Sequence, residues 1–161
     1  MQWWAGTRRA RGNVPDPMKS YQFDISLRVR HPSLDPAEIT SALGLNPSRS
    51  WRAGEARTTP KGNPLEGRYS DSYWVVKLAK GRWPDRTLAA VINELLDQLA
   101  PHQALFQQIR AEGGTVEFFV GWLFEGNSGD VFDCDLLARM ADLKINLSLD
   151  VYPPDPSCAS G

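Results

Sequence analysis

The sequence predicts an α+β domain: a mixed, mostly antiparallel β-sheet with helices packed mainly on one face. Three observations carry this expectation. Tyr21 to Arg30 and Lys144 to Tyr152 alternate apolar and polar residues, the period of half-buried strands. Between such stretches lie segments with apolar residues at helical spacing and clear capping residues. A strand–helix–strand pattern occurs twice, at Phe23 to Leu45 and at Val116 to Leu149, and reads as two related halves joined by a long central helix. A strand–helix–strand unit within one sheet implies a right-handed crossover and a parallel pair.

In the first strand Phe23, Ile25, Leu27 and Val29 share one face, with Arg28 and Arg30 on the other, and His31-Pro32 ends it. Asp35 is an N-cap, Pro36 suits the first helical position, and Gly44 is a C-terminal stop. Tyr73 to Leu78 is β-branched and aromatic and predicts a buried strand, followed by a turn at Gly81 to Pro84. Asp85 or Thr87 then caps a helix with Leu88, Val91, Ile92, Leu95, Leu96 and Leu99 on one stripe. Pro101 breaks or kinks it, and a continuation through Leu105, Phe106 and Ile109 stops at Gly113-Gly114. Thr115 to Leu123 is the most apolar strand and is expected to lie centrally. Glu125 to Asp130 is a turn-rich loop. Asp133 caps a helix through Leu136, Leu137, Met140 and Leu143, and the last strand points Ile145, Leu147, Leu149 and Val151 inward.

A chain of 161 residues has the length of one domain, assigned here to residues 19–153. Residues 1–18 are expected to be a disordered or non-native extension, with Met18 as the natural start, and residues 154–161 a disordered tail. No apolar run approaches the roughly 20 residues of a membrane span. Cys134 and Cys158 make neither a disulfide framework nor a zinc site and suit a reducing cytoplasm.

One stretch, Ser48 to Trp74, has no sustained period and is expected to be a long functional loop. Between Pro47 and Tyr69 five cations face two acids, whereas Glu112 to Asp150 holds eight acids against two cations. That split predicts either a loop folded back on an acidic face or two poles for a charged partner. Arg49, Trp51, Arg52, Arg57, Lys61, Arg68, Tyr73 and Trp74 are the candidate binding residues, because Arg, Trp and Tyr dominate interface hot spots.

Catalytic chemistry finds little support. His31 and His102 are the only histidines, so a metal cluster or a histidine-based triad has few donors, and His31 reads as a turn-packing residue. Neither a Walker-type loop nor a dinucleotide fingerprint occurs, and no cofactor is expected. With Tyr69 the loop interleaves basic and stacking residues, yet a pI near 6.1 argues against nucleic acid.

The set comprising His31-Pro32, Asp35-Pro36-Ala37-Glu38-Ile39-Thr40, Thr58 to Gly67, Ser72-Tyr73-Trp74, Gly113 to Gly121 and Asp150-Val151-Tyr152 resembles the bacterial domain-of-unknown-function family numbered 4279. The resemblance spans Tyr21 to Tyr152. It implies a bacterial source and a small stand-alone α+β domain, with no established activity and no catalytic residues to carry over.

The expectation is therefore a non-enzymatic cytoplasmic module that binds a protein partner, in an immunity-like role, through the loop 48–74. The alternative is a small-ligand or anion-binding domain, an enzyme included, with Arg52, Arg57 and Lys61 lining the site. Oligomeric state stays open.

Overall fold

The computed structural model describes residues 21–123 and 129–152. The expected extension, the tail and most of the Glu125 to Asp130 loop lie outside the described residues. Five strands form one sheet: β1 (Tyr21–His31), β2 (Arg49–Trp51), β5 (Ser72–Trp83), β6 (Thr115–Leu123) and β7 (Ile145–Tyr152), in the order β2-β5-β1-β6-β7. All neighbours are antiparallel except β6 and β7. A separate hairpin pairs β3 (Ala56–Thr58) with β4 (Pro64–Arg68).

The helices are α1 (Pro36–Leu43), α2 (Leu88–Leu99), α3 (Gln103–Ala111) and α4 (Cys134–Asp142), with a 3-10 turn at Ala100–His102 where Pro101 interrupts the central helix. Asp35, Thr87 and Asp133 cap α1, α2 and α4 by accepting from Ala37, Ala90 and Leu136 N–H groups. Gly44 closes α1 in the left-handed region at φ 66°.

One core joins the helices to one face of the sheet. Phe23, Ile25, Leu27 and Val29 of β1 and Val116, Phe118 and Val120 of β6 are at most 1% exposed beneath Leu88, Ile92, Leu96, Phe106 and Ile109. Among the described residues the opposite sheet face carries no helix and is more exposed, with Arg28, Arg30, Glu117 and Phe119 along it beside the buried Tyr73. Both strand–helix–strand halves are present. β6–α4–β7 gives adjacent parallel strands, while in β1–α1–β2 the parallel strands are separated by β5.

Four expectations need correction. The stretch 48–74 is not a long loop, because β2, β3, β4 and the start of β5 occupy much of it. Residues of β3 and β4 are exposed on both faces, so no apolar alternation marks them. The chain does not turn at Gly81: β5 runs on to Trp83 after a register shift opposite Ile25/Ser26, and Trp83 stacks on Phe23 with ring centres 5.6 Å apart. Leu149 and Val151 do not reach the core, being 43% and 51% exposed at the far end of the edge strand. Leu137 of α4 is likewise outside it, 48% exposed, with Leu136 and Met140 buried instead.

Candidate functional site

Register brings the site together. Arg30 of β1 lies opposite Tyr73 of β5, which lies opposite Trp51 of β2, so all three share the open sheet face. Trp51 is stacked between Tyr73 (4.4 Å between ring centres) and Tyr69 (4.5 Å). Its indole N–H donates to the Asp71 carbonyl at 3.1 Å. This ladder ties the sheet edge to the hairpin, which is fastened further by the Gly54 N–H donating to the Tyr69 carbonyl and the Tyr69 N–H donating to the Glu55 carbonyl.

Guanidinium groups lie against these rings. Arg30 stands over Tyr73 at 4.7 Å and Arg49 over Trp51 at 4.9 Å, and further along the same face Arg28 covers Phe119 at 3.3 Å. A guanidinium held by its flat face keeps its in-plane N–H donors available.

The concavity between sheet edge and hairpin is a cleft of about 500 Å³ that holds Arg30, Arg49, Arg57, Arg68, Trp51 and Tyr69. Among the described residues Asp71 is the one acid on its wall, and it pairs with Arg30 at 3.5 Å. The other three arginines meet backbone carbonyls: Arg49 that of Thr58 (3.2 Å), Arg57 that of Glu66 (3.4 Å) and Arg68 that of Gly54 (2.6 Å). A carbonyl orients a guanidinium without neutralising it, so the cleft keeps a positive field. The Tyr69 hydroxyl donates to the Thr58 carbonyl and accepts from the Thr58 N–H, both at 3.1 Å. That backbone donor, with Arg49 nearby, holds the phenol below its usual range.

The eight sequence-level candidates divide. Arg49, Trp51, Arg57 and Arg68 line the cleft, and Tyr73 forms the floor of its aromatic ladder. Arg52 points elsewhere, pairing with Asp35 at the head of α1 at 3.0 Å beside a separate depression. Lys61 sits exposed in the hairpin turn, outside the lining. Trp74 belongs to the core: it is fully buried on the helix side, and its N–H reaches Thr40 Oγ1 at 3.0 Å. Arg30 and Thr58 also line the cleft and are not among the sequence-level candidates. Arg30 is on the wet face that the alternation of β1 defines, but only the β1/β5 register delivers it to the cleft.

His31 is buried beside this site. Its Nδ1 accepts N–H groups from Ser33 (3.1 Å) and Leu34 (2.7 Å), which leaves the ring proton on Nε2, 3.1 Å from a Glu112 oxygen. The imidazole organises the β1–α1 turn. Among the described residues no group of three or more His, Cys, Asp or Glu side chains is placed to hold a metal, and no helix is long and apolar enough to cross a membrane.

Fold and site together define a small open-faced α+β domain with a basic, aromatic-braced cleft at one sheet edge. The chain belongs to the family described as domain of unknown function DUF4279, whose model matches residues 20–154. No curated protein and no solved structure matches it.

Proposed function

We propose that this domain is a binding module that recognises an oxyanion, carboxylate or phosphate, in the cleft between β2 and the β3–β4 hairpin. The observation that carries this reading is the convergence of Arg30, Arg49, Arg57 and Arg68 on one cleft, where Asp71 is the single acid among the described lining residues. Each guanidinium has five N–H donors in a fork that matches two anionic oxygens. Stacking on Tyr73 and Trp51 fixes two of the four side chains before any ligand arrives, which lowers the ordering cost of binding.

A protein partner that supplies the carboxylate from an acidic surface is the second reading, an immunity-like role in a bacterial cytoplasm being its narrowest form. Its support is the hairpin, both strands of which are exposed at every residue, with Leu65 45% exposed among the arginines as an apolar contact on the rim. Both readings use the same guanidinium forks.

The test is a fluorescence and calorimetric titration with pyrophosphate and with a short polyglutamate peptide. Trp51 lies in the cleft and is a natural reporter. Saturable binding that weakens with salt and is lost in the Arg49→Ala/Arg57→Ala/Arg68→Ala variant supports the proposal. Preference for the peptide selects the protein-binding form. Absence of binding by either probe, or binding unchanged in the triple variant, overturns it.

A further inference from the structure

The two edges of the five-stranded sheet are finished differently. β2 is three residues long and preceded by Pro47, so it offers little unpaired backbone. β7 presents eight residues, hydrogen-bonded to β6 on one side and to no other strand among the described residues. It contains no proline, its register with β6 shows no bulge, and its one charged residue, Asp150, is aligned with Gly121 on the open face. Apart from that single charge, none of the usual devices that blunt an edge strand is built into its eight residues.

Apolar side chains gather along the same edge. Leu149 and Val151 project on the helix side of β7 and remain 43% and 51% exposed. α4 packs on β7 and adds Leu137, 48% exposed. On the other flank of α4, Arg139 reaches Asn93 Oδ1 of α2 at 2.7 Å and pairs with Asp97. Two residues turn a helix by about 200°, so Leu137 lies on the flank away from α2, over the sheet edge. The same spacing puts Cys134 and Ala141 on that outer flank and turns Asp135 and Asp142 toward the Arg139 side. The acidic residues of α4 therefore do not guard the edge.

We infer that β7 pairs antiparallel with β7 of a second copy of this chain, about a two-fold axis at Ser148, to make one sheet continuous across a homodimer. The strand is its own complement in this register. Leu147 comes opposite Leu149, Ile145 opposite Val151, and Asp150 opposite Asn146, every pair on a common face. An axis moved to Asp150 would set two carboxylates opposite each other and costs stability. An isologous contact of this kind closes at two subunits. Leu137, Leu149 and Val151 of both copies are then covered, and the arginine cleft, at the opposite edge of the sheet, stays open on each.

Sedimentation of the full chain over a wide concentration range is the test. A reversible dimer, little affected by salt, is expected. Val151→Lys should weaken it by more than about tenfold with an unchanged circular dichroism spectrum, since each copy then presents a charge to the apolar strip. In a Cys134→Ser/Cys158→Ser background, Ser148→Cys should cross-link the dimer on mild oxidation, because Ser148 faces itself. A monomer at every concentration overturns the inference, including a monomer whose β7 amides are protected from exchange by another segment of its own chain. So does a dimer indifferent to Val151→Lys, or one that Ser148→Cys does not cross-link.

Discussion

The indole of Trp51 and the phenol of Tyr69 stack with ring centres 4.5 Å apart and planes 17° from parallel, joining the edge strand β2 to the end of the exposed hairpin. β3 and β4 bury little of their own, so this contact and the Tyr73 ring on the other side of Trp51 set where the hairpin stands relative to the sheet.

Trp51→Ala removes the middle of the ladder together with the bond to the Asp71 carbonyl. A loss of about 2–3 kcal/mol is expected for a half-buried aromatic with one hydrogen bond. Trp51→Phe keeps a stacking ring and should recover most of it. Denaturant unfolding measures the cost, and faster amide exchange across residues 56–68 is the sign that the hairpin has come loose.

Arg52 gives the contrasting case. Its partner is Asp35 and its surroundings lie outside the arginine cleft. Both side chains are substantially exposed, 53% and 31%, so Arg52→Ala should change stability by no more than about 0.5 kcal/mol and leave anion binding intact. Equal losses for Arg52→Ala and Arg57→Ala in the same titration would move the site toward α1.

What the sequence disclosed, and what it hid, follows from burial. β1 and β6 were readable residue by residue because every second side chain enters the core, and the helices because Asp35, Thr87, Asp133, Gly44 and Gly113 punctuate them. The strands between Arg49 and Arg68 were not, since residues exposed on both faces leave no period in the chain. Basic and aromatic composition singled out the stretch that supplies most of the cleft lining. It did not separate Trp51, on the open face, from Trp74, in the core, because that depends on where β5 starts its alternation. Arg30 entered through pairing with Tyr73, 43 positions away, a contact that local sequence does not encode.

The turn after β1 rests on two residues that fit together. A Cβ on Gly114 would come within 2.7 Å of Ile109 Cγ2 and 2.8 Å of both the Arg30 carbonyl oxygen and His31 Cδ2. Backbone and buried side chains have little room to retreat, so Gly114→Ala should cost about 1–3 kcal/mol. His31→Ala orphans the Ser33 and Leu34 N–H groups and should cost about 2 kcal/mol. His31→Asn, whose side-chain oxygen can accept from the same turn, should cost less. Thermal unfolding of the three variants checks the order.

The two tyrosines at opposite ends of the sheet should ionise in a defined order. Tyr69 is held below its usual value of 10.0, first by the N–H of Thr58 donating to its oxygen and further by Arg49. Tyr152 is pushed above that value, first because its hydroxyl donates to the Asp150 carboxylate, and burial and the nearby negative charge add to this. On an alkaline titration followed by tyrosinate absorbance, Tyr69 should therefore ionise before Tyr152. Tyr69→Phe should remove absorbance that appears below the usual tyrosine value and Tyr152→Phe absorbance that appears above it. The linkage to stability runs in opposite senses. For Tyr69, whose folded-state value is depressed, the contribution is present above the unfolded value and lost as pH falls through the folded one. For Tyr152, whose folded-state value is raised, the contribution is complete below the unfolded value and lost as pH climbs through the folded one. Comparing the alkaline limb of the unfolding free energy for wild type and the two Phe variants separates the effects, and identical curves for all three proteins would mean that neither hydroxyl keeps its partner in solution.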